Sequence, residues 1–332
     1  MGSCGEDEMK QKYAIVIVTY NRVQLLRECV AHAKAQTRQA DSIIIVDNAS
    51  TDETGEYLLR LEKENNIEIV RLLQNMGGAG GFAAGMQHAL QKNVDCMLLI
   101  DDDAMPAADY MEKILAARSC SSQYRAFAGA VKSGGRISTS HRADLRKAGL
   151  LSVNIPEKNY QGVSFVCDIA SFCGMVVDTE LVRLIGLPHA EYFIWFDDTE
   201  YSLRIHRYSR FLVITDADID HKTEQEIYSR PRRYGWKDYY AVRNRLLMVK
   251  EHGNILNRVI NLTHMFLHIM FRNWLFGLIR RDHYDWKYER NLVKAAWKDS
   301  RRERLHNIVM ERPQPEQDIA FDALPAPQNR II

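Results

Sequence analysis

The sequence of 332 residues lacks three features that would place it in a specialised class of protein. Its six cysteines form no CxxC pair, which argues against a zinc finger and against a disulfide scaffold. Lysine and arginine number 44 against 43 aspartates and glutamates, and this balance excludes a nucleic-acid binder held by bulk charge. The first twelve residues contain no apolar stretch, so we predict no secretory signal and expect a cytoplasmic protein.

The sequence also lacks a long uninterrupted hydrophobic run. Residues 255–279 are strongly apolar, but Asn257, Arg258, Asn261 and Arg272 interrupt them. A membrane-spanning helix needs about 20 apolar residues in succession, so we predict no span here. Two interpretations stay open. The segment is a helix packed on the main domain, or residues 255–304 contact the inner face of the plasma membrane through cationic and aromatic anchors.

From Tyr13 to Asp101, short apolar runs alternate with amphipathic stretches. YAIVIVT (Tyr13 to Thr19) is too short for a typical helix and rich in β-branched residues, which predicts a buried strand. The next stretch (Arg22 to Ala35) places its apolar residues on one helical stripe. Three more strands are predicted, and Gly81 begins the third helix. This spacing predicts an α/β fold with a mostly parallel sheet and right-handed crossovers.

Beyond Asp103 the pattern is less regular. Pro106 suits the first turn of a helix that runs to about Arg118, and residues 133–147 are predicted to be a mobile loop. From Arg230 onward the chain becomes helical in character, with many basic and aromatic residues. We therefore predict a main domain over residues 10–225 and a helical region over residues 226–332 with a poorly ordered tail. The C-terminal helices are candidate surfaces for a homo-oligomer.

Polar residues follow the predicted strands at the points where the strands end. Because ligands of parallel sheets bind outside the carboxyl ends of the strands, this pattern indicates a binding site. The residues concerned are Thr19 to Asn21, Asp47 and Asn48, Asn75, and Asp101 to Asp103.

Three consecutive acids follow the fourth strand. Side chains alternate in direction along an extended backbone, so Asp101 and Asp103 can face one ligand while Asp102 points away. Like charges this close are costly unless a cation neutralises them, and two carboxylates suit Mn²⁺ or Mg²⁺. The alternative interpretation is a solvated acidic turn. His221, just beyond the last core strand, is either a further metal ligand or an ordinary surface or core histidine.

A second acidic group lies in WFDDTEYSLR. Asp197, Asp198 and Glu200 lie at a predicted helix N-terminus, where the helix dipole stabilises anions. A buried carboxylate facing a substrate hydroxyl would serve as a general base, whereas helix capping accounts for one of the two aspartates. Trp195 is either a core residue or a platform on which a sugar stacks.

A glycine-rich segment supports a different class of enzyme. Residues 78–83 satisfy the G-x-G-x-x-A dinucleotide pattern, and Asp101 lies where a ribose-binding acid is expected. An NAD(P)- or flavin-dependent enzyme is therefore an alternative. Two details weaken it: Leu73 to Met76 separate the pattern from its strand, and two strand-helix units precede it.

Taken together, these motifs resemble a known family. TYNR, VDNASTDET, NMGGAGGF, LLIDDDAMP, WFDDTEYSLR and the later histidine are similar to inverting family 2 glycosyltransferases of the GT-A fold, over about Ala14 to His221. The DDD motif and the expanded glycine segment are most similar to bacterial galactofuranosyltransferases and rhamnosyltransferases. The segment YYAVRNRL (Tyr239 to Leu246) also resembles an aromatic-Arg-Asn segment that follows the catalytic domain in that group.

The resemblance implies a Rossmann-like GT-A catalytic domain over residues 10–225 and a role for each motif. Asp101 and Asp103 would hold Mn²⁺ or Mg²⁺ with His221, and Asp198 would be the catalytic base. Trp195 and Asp197 would lie on the acceptor side, where Asp197 departs from the common Glu-Asp pair. The nucleotide-sugar pocket would be lined by Thr19, Asn21, Asp47, Asn75, Gly78, Gly80, Gly81 and Asp102, with Asp47 bonded to the base.

The same resemblance implies a substrate class. UDP-galactofuranose is the favoured donor, dTDP-rhamnose is next, and other UDP-hexoses follow. The acceptor would be a growing surface glycan on a lipid carrier. A non-catalytic nucleotide-sugar binding module is the remaining alternative; it would need a damaged metal site or base site, and the sequence shows damage in neither.

Overall fold

The computed structural model describes residues 11–146, 148–222, 235–264, 266–267 and 286–302, and the structural statements below concern these residues. They form two compact units. The first unit comprises the described residues up to Ala190 and those from Asp197 to Lys222. The second comprises Glu191–Phe196 and the described residues from Gly235 onward. The predicted boundary near residue 225 lies in the stretch 223–234, outside the described residues.

The first unit begins with three strand-helix pairs, as predicted. Strands β1 and β2 are buried at every position, as parallel strands covered on both faces must be. The strands are β1 (Tyr13–Thr19), β2 (Ser42–Asp47), β3 (Ile67–Arg71) and β4 (Cys96–Asp101). The helices are α1 (Val23–Lys34), α2 (Thr54–Leu61) and α3 (Gly77–Ala89).

The main sheet has the strand order β10-β13-β6-β12-β4-β1-β2-β3. Strands β4, β1, β2 and β3 are parallel, and their register aligns Thr19 with Asp47 and Val18 with Asp101. The carboxyl ends of these strands therefore meet at one edge, where the polar residues of the predicted site lie. The predicted α/β fold with a mostly parallel sheet is confirmed, and antiparallel strands add to it.

The second half of the unit completes the sheet. Strand β12 runs antiparallel between β4 and β6, and β13 runs parallel to β6. At its end, His221 of β13 pairs with Ala104 of β5, which brings the histidine back to the acids after β4. The strands are β5 (Ala104–Pro106), β6 (Ala126–Ser133), β7 (Arg136–Ile137), β8 (Arg142–Arg146), β9 (Leu151–Asn154), β10 (Ser164–Cys167), β11 (Ile169–Ala170), β12 (Met175–Asp178) and β13 (Phe211–His221). The helices are α4 (Tyr110–Cys120), α5 (Thr179–Ile185) and α6 (Asp197–His206).

Two predictions about this half are wrong. Pro106 ends strand β5, and the helix after it begins at Tyr110, because residues 104–106 pair with β13. The predicted mobile loop over residues 133–147 contains β7, a 3₁₀ turn and β8, and β8 joins β9 and β11 in a small sheet. The fully buried guanidinium of Arg142 anchors β8, since it donates hydrogen bonds to the carbonyls of Gly129, His141 and Cys173 at 2.8 to 3.1 Å.

The second unit is helical in its described part. It contains α7 (Trp236–His252), α8 (255–264) and α9 (Trp286–Arg302). Tyr239 and Tyr240 of α7 pack with Leu292 and Ala296 of α9 in an apolar cluster that also holds Phe193. No helix in the described part of the chain is long and apolar enough to cross a membrane. Residues 268–285 and the predicted tail beyond residue 302 lie outside the described residues.

Candidate active site

Asp102, the middle acid of the DDD motif, is committed to internal contacts. It is fully buried, and its Oδ2 accepts a hydrogen bond of 2.7 Å from the Thr19 hydroxyl. Its Oδ1 lies 3.2 Å from Nε of Arg22. Thr19 is itself buried, so its hydroxyl supports Asp102. The structure thus gives these two predicted nucleotide-sugar-binding residues a shared structural contact.

Asp103 lies between two cations. Its Oδ1 is 3.2 Å from Nε2 of His221, and its Oδ2 accepts a hydrogen bond of 2.7 Å from Nη1 of Arg22. Burial opposes ionisation, but the hydrogen bond and charge of His221, together with Arg22, outweigh it and lower the pKa of Asp103 to about 2. Asp103 is therefore a carboxylate at neutral pH, held beside the histidine that was predicted as its partner.

For Asp101, burial and neighbouring charges raise the pKa instead of lowering it. Burial raises its pKa to about 7, with further contributions from the negative charges of Asp103 and Asp102. The cluster therefore carries negative charge that Arg22 and His221 offset incompletely. Two carboxylates and an imidazole are a donor set that suits Mn²⁺ and accommodates Mg²⁺. By the chemistry of their donor atoms, Asp101, Asp103 and His221 fit the divalent cation that the resemblance implies, and such a cation would reduce the repulsion among the neighbouring acids.

The loops after β1 and β2 are tied together by polar side chains. Asn21, which has a left-handed φ of 53°, accepts a hydrogen bond of 2.6 Å from the amide of Thr51 through its Oδ1. Asp47 is buried, and its Oδ1 accepts a bond of 2.9 Å from the amide of Ser50. These contacts place Asn21 and Asp47 at the same sheet edge as the DDD motif.

The turn before α3 is held by two asparagines. Asn75, predicted in the pocket, accepts a hydrogen bond of 2.8 Å from the amide of Gly77. Asn48, which is 2% exposed, donates to the Gly77 carbonyl at 2.8 Å and accepts from the amide of Met76 at 2.7 Å. Asn48 was among the polar residues predicted at the strand ends, but the family resemblance gave it no role in the pocket.

The glycine-rich segment is helical. Helix α3 begins at Gly77, four residues before the predicted start, because glycines at one face allow the helix to approach the sheet closely. A Cβ on Gly81 would lie 2.4 Å from Cγ1 of Val18, and one on Gly80 would lie 2.4 Å from Cβ of Met76. The missing side chains of Gly80 and Gly81 are therefore required by packing within the protein. Gly78 differs, since the nearest atom to a Cβ there is Oδ2 of Asp197 at 4.0 Å.

Asp197 and Asp198 begin α6, as predicted. Oδ2 of Asp197 faces Gly78 in the first turn of α3, and the residue as a whole is buried. Burial raises the pKa of Asp197 well above its ordinary value, and the charges of Asp198 and Asp101 raise it further. Asp198 is half-buried, and its Oδ1 accepts hydrogen bonds from the amide and hydroxyl of Thr199 at 2.5 and 3.1 Å. The acid pair, the N-terminus of α3 and the DDD motif thus converge within the first unit.

Two other residues of WFDDTEYSLR have different surroundings. Glu200 is fully buried and accepts hydrogen bonds from Arg204 at 2.8 and 3.2 Å, while Arg204 also binds the carbonyls of Ile185 and Leu187. Glu200 therefore stabilises the first turn of α6 through its ion pair with Arg204. Trp195 belongs to the second unit, with a left-handed φ of 63° and its carbonyl bonded to Asn244 at 2.8 Å.

The decisive comparison is with models of protein families. Residues 14–135 match the family model described as glycosyl transferase family 2. Over these residues the chain is similar to family 2 glycosyltransferases. The matched segment runs from β1 through β6, so it includes the DDD motif, Asn48 and the start of α3.

Curated proteins extend the likeness. The chain is 27% identical over 208 residues to the galactofuranosyltransferase GlfT1 of Mycobacterium tuberculosis, covering 60% of this chain and 66% of that protein. It is 24% identical over 259 residues to the dTDP-rhamnosyl transferase RfbF of Shigella flexneri, covering 73% and 81%. The chain thus spans slightly less than two thirds of the galactofuranosyltransferase.

Solved structures show the fold. The structure of GalNAc-T7 with UDP, GalNAc and Mn²⁺ superimposes with a TM-score of 0.59 and 15% identity, over 72% of this chain and 48% of that one. At this identity the likeness concerns the fold alone. The predicted GT-A fold and the predicted resemblance to family 2 are confirmed.

Two further residues of the candidate site were not predicted from the sequence. Arg22 bridges Asp102 and Asp103, and it belongs to the quoted TYNR motif without having been assigned a role. The ring of His141 packs edge-on against that of His221 at 5.2 Å, while its Nδ1 lies 2.8 Å from the Ser171 hydroxyl. His141 falls in the segment predicted as a mobile loop, so no local pattern pointed to it.

Proposed function

We propose that the protein is a metal-dependent inverting glycosyltransferase that moves a sugar from a nucleotide donor to a hydroxyl of a growing glycan. The observation that carries this proposal is the convergence of three features in one unit. These are the cluster of Asp101, Asp103 and His221, the start of α3 at Gly78, and the acid pair at the start of α6.

Each part of the cluster has a role in this reaction. Asp101, Asp103 and His221 would hold a divalent cation, which when bound stabilises negative charge on the departing diphosphate. The acceptor oxygen attacks the anomeric carbon from the face opposite the nucleoside diphosphate, and its proton goes to Asp198. The bond between the anomeric carbon and the phosphate oxygen breaks, and the electron pair stays with the phosphate. One such displacement inverts the anomeric configuration.

The surroundings of the two aspartates favour Asp198 as the base. Burial raises the pKa of Asp197 well above its ordinary value, and the charges of Asp198 and Asp101 raise it further. Burial also raises the pKa of Asp198, but hydrogen bonds from Thr199 and the charge of Arg142 oppose this effect. The surroundings of Asp198 therefore favour its ionised form more than those of Asp197, and only the ionised form can take the proton of the acceptor.

The donor is proposed from the relatives. UDP-galactofuranose is favoured because a relative is a galactofuranosyltransferase, and dTDP-rhamnose is next because another is a dTDP-rhamnosyl transferase. GalNAc-T7 contains UDP and Mn²⁺ in its solved structure, which supports a UDP-sugar and a divalent cation here. Asn21, Asp47, Asn75 and Gly78 would line the pocket. The buried pair of Thr19 and Asp102 would support it from within the protein.

A donor screen tests the proposal. Release of UDP or dTDP is measured for each sugar nucleotide with and without Mn²⁺, for the wild type and for Asp198→Asn. We expect Asp198→Asn to lower turnover at least about 100-fold, because general base catalysis contributes about 10²–10⁴. Its affinity for UDP with Mn²⁺, measured by calorimetry, should stay within about twofold of the wild type because the base contacts the acceptor.

A matched variant controls for the loss of an acid at a helix N-terminus. Asp109 precedes α4 and pairs with Lys113 on the surface, so Asp109→Asn should retain wild-type turnover. Near-normal turnover in Asp198→Asn would refute its role as base. Equal loss of turnover in both variants would also refute it, because the effect would then be unspecific.

The second unit supports a lipid-linked acceptor at the inner face of the plasma membrane. In the described part of the stretch 255–267, burial is the opposite of that in an ordinary surface helix. Asn257 and Asn261 are buried, whereas apolar side chains face solvent. The exposed side chains are Ile255, Leu256, Val259, Leu262, Phe266 and Leu267, at 40 to 81% exposure. Residues 253–281 also contain four arginines and no acidic residue, which complements anionic headgroups.

Vesicle co-sedimentation tests this contact. Val259→Glu places a charge on the apolar face and should abolish binding to phosphatidylglycerol vesicles. His264→Glu introduces the same acidic side chain at an exposed position on another face, so it should weaken binding less. Equal binding by Val259→Glu and the wild type would refute membrane contact through this face.

A further inference from the structure

The segment Glu191–Phe196 of the second unit has an unfavourable backbone. Phe193, Trp195 and Phe196 have φ of 63°, 63° and 65°, in the left-handed region. Bulky residues rarely adopt this region because their Cβ clashes with the backbone. Three such residues among four persist when surrounding contacts impose the conformation, and such strain concentrates at functional sites.

Asn244 of α7 supplies those contacts. Its side chain is fully buried, and its amide group lies within hydrogen-bond distance of three carbonyl oxygens of the strained segment. The distances from Nδ2 are 2.8 Å to Tyr192, 3.1 Å to Ile194 and 2.8 Å to Trp195. One side chain thus binds three carbonyls of the strained backbone.

Arg243 adds a second set of contacts. Its guanidinium is fully buried, and Nη2 donates to the carbonyl of Glu191 at 2.5 Å. Its Nε donates to Oδ1 of Asn244 at 2.9 Å, so it orients that amide with Nδ2 toward the segment. The ring of Phe193 stacks on Tyr240 with centroids 4.9 Å apart. The YYAVRNRL motif of the sequence therefore forms a clamp on Glu191–Phe196.

The clamped segment leads directly into the acid pair. Phe196 is joined by a peptide bond to Asp197, and Asp198 follows. The backbone path of Glu191–Phe196 therefore determines how Trp195 is presented. A displacement of about 1 Å at reacting groups can lower a rate about 100-fold.

We propose that Asn244 and Arg243 are positioning residues, which hold Glu191–Phe196 in its strained conformation and thereby fix the backbone at Trp195, the predicted acceptor-side residue. This inference rests on the proposed function, because it needs Trp195 to contact the acceptor during transfer. Neither residue touches the acceptor hydroxyl or the donor in this role.

Three variants test the clamp. Asn244→Ala removes all three contacts. Asn244→Asp keeps the volume but turns an oxygen toward three carbonyl oxygens, so it should be no better than alanine. Asn261→Ala is the control, because Asn261 is also a buried asparagine of the second unit, bonded to Arg245 and to the carbonyl of Asn257.

The readouts separate positioning from general stability. For Asn244→Ala and Asn244→Asp we expect kcat for nucleotide release to fall about 100-fold while KM for the donor stays within about twofold. Hydrogen exchange of the peptide covering residues 191–196 should accelerate at least about tenfold, since the segment opens locally. Asn261→Ala should change neither kcat nor this exchange by more than about twofold.

Several outcomes would overturn the inference. Wild-type kcat in Asn244→Asp would show that the amide donors are unnecessary, and unchanged exchange in Asn244→Ala would show that the clamp does not hold the segment. Equal losses of kcat in Asn244→Ala and Asn261→Ala would reduce the effect to general destabilisation. If the wild type releases no nucleotide from any donor, the proposed function and the positioning role both fail, and the exchange rates alone decide whether the clamp exists.

Discussion

Gly85 offers a direct test of why the glycine-rich segment contains its glycines. It lies inside α3 and faces the sheet, where a Cβ would be 2.3 Å from Cγ1 of Val16 and 2.9 Å from Cγ2 of Val46. Both valines lie in strands that are buried at every position. Gly85→Ala therefore adds one methyl group to a contact that has no room for it.

Two opposing effects set the magnitude. Alanine in place of a helical glycine stabilises by about 0.5–1 kcal/mol through the lower entropy of the unfolded chain. Overpacking a core by one methyl group costs about 1–3 kcal/mol. Val16 is β-branched and fully buried, so it cannot rotate away freely. We expect Gly85→Ala to be destabilised by about 1–2 kcal/mol, because the steric cost exceeds the entropic gain.

Urea denaturation measures this change against a matched control. Gly55 is also helical, in α2, and among the described residues no atom lies within 4 Å of a Cβ built there. Gly55→Ala should therefore stabilise the protein by about 0.5–1 kcal/mol. Adding Val16→Ala to Gly85→Ala removes the clashing methyl group, and the two changes should couple favourably by about 1 kcal/mol.

The reasoning would be refuted by one clear result. If Gly85→Ala raises the urea midpoint as Gly55→Ala does, helix α3 has room against β1. The glycines would then be explained by something other than close packing, and the account of Gly81 against Val18 would fail with it.

Three further predictions concern charged groups. Glu200→Ala should lower the free energy of unfolding by about 3–5 kcal/mol in urea denaturation, because it leaves Arg204 buried without its carboxylate; a loss below about 1 kcal/mol would contradict this. Burial by itself raises the pKa of Glu68, but hydrogen bonds from Lys92, His88 and Ser42 outweigh it and lower that pKa from its ordinary 4.5 to about 2. The stabilisation is thus complete above about pH 4.5 and is lost as the pH falls toward 2, so the urea midpoint of Glu68→Gln should fall less than that of the wild type between pH 7 and pH 3. His221→Ala should weaken Mn²⁺ binding in calorimetry by at least about 10–100-fold, and an unchanged affinity would remove His221 from the metal site.

The sequence by itself determined the first half of the fold and the outline of the site. Strand β1 and the helices that alternate with it are specified by local patterns of apolar residues, which need no knowledge of distant contacts. Parallel strands bring their carboxyl ends to one edge, so the proximity of Asp47 and Asp101 followed from the chain alone. The family motifs assigned chemistry to that edge.

Only the tertiary structure decided features that depend on residues far apart in the chain. Helix α3 begins at Gly77 because its glycines pack against β1. The predicted mobile loop contains strand β8 because the side chain of Arg142, the first residue of that strand, is buried and hydrogen-bonded to distant carbonyls. The strained path of Glu191–Phe196 exists because Asn244, about fifty positions later, binds its carbonyls. Local patterns report which face of an element is apolar, whereas such contacts arise when separate elements pack, and packing selects the final conformation.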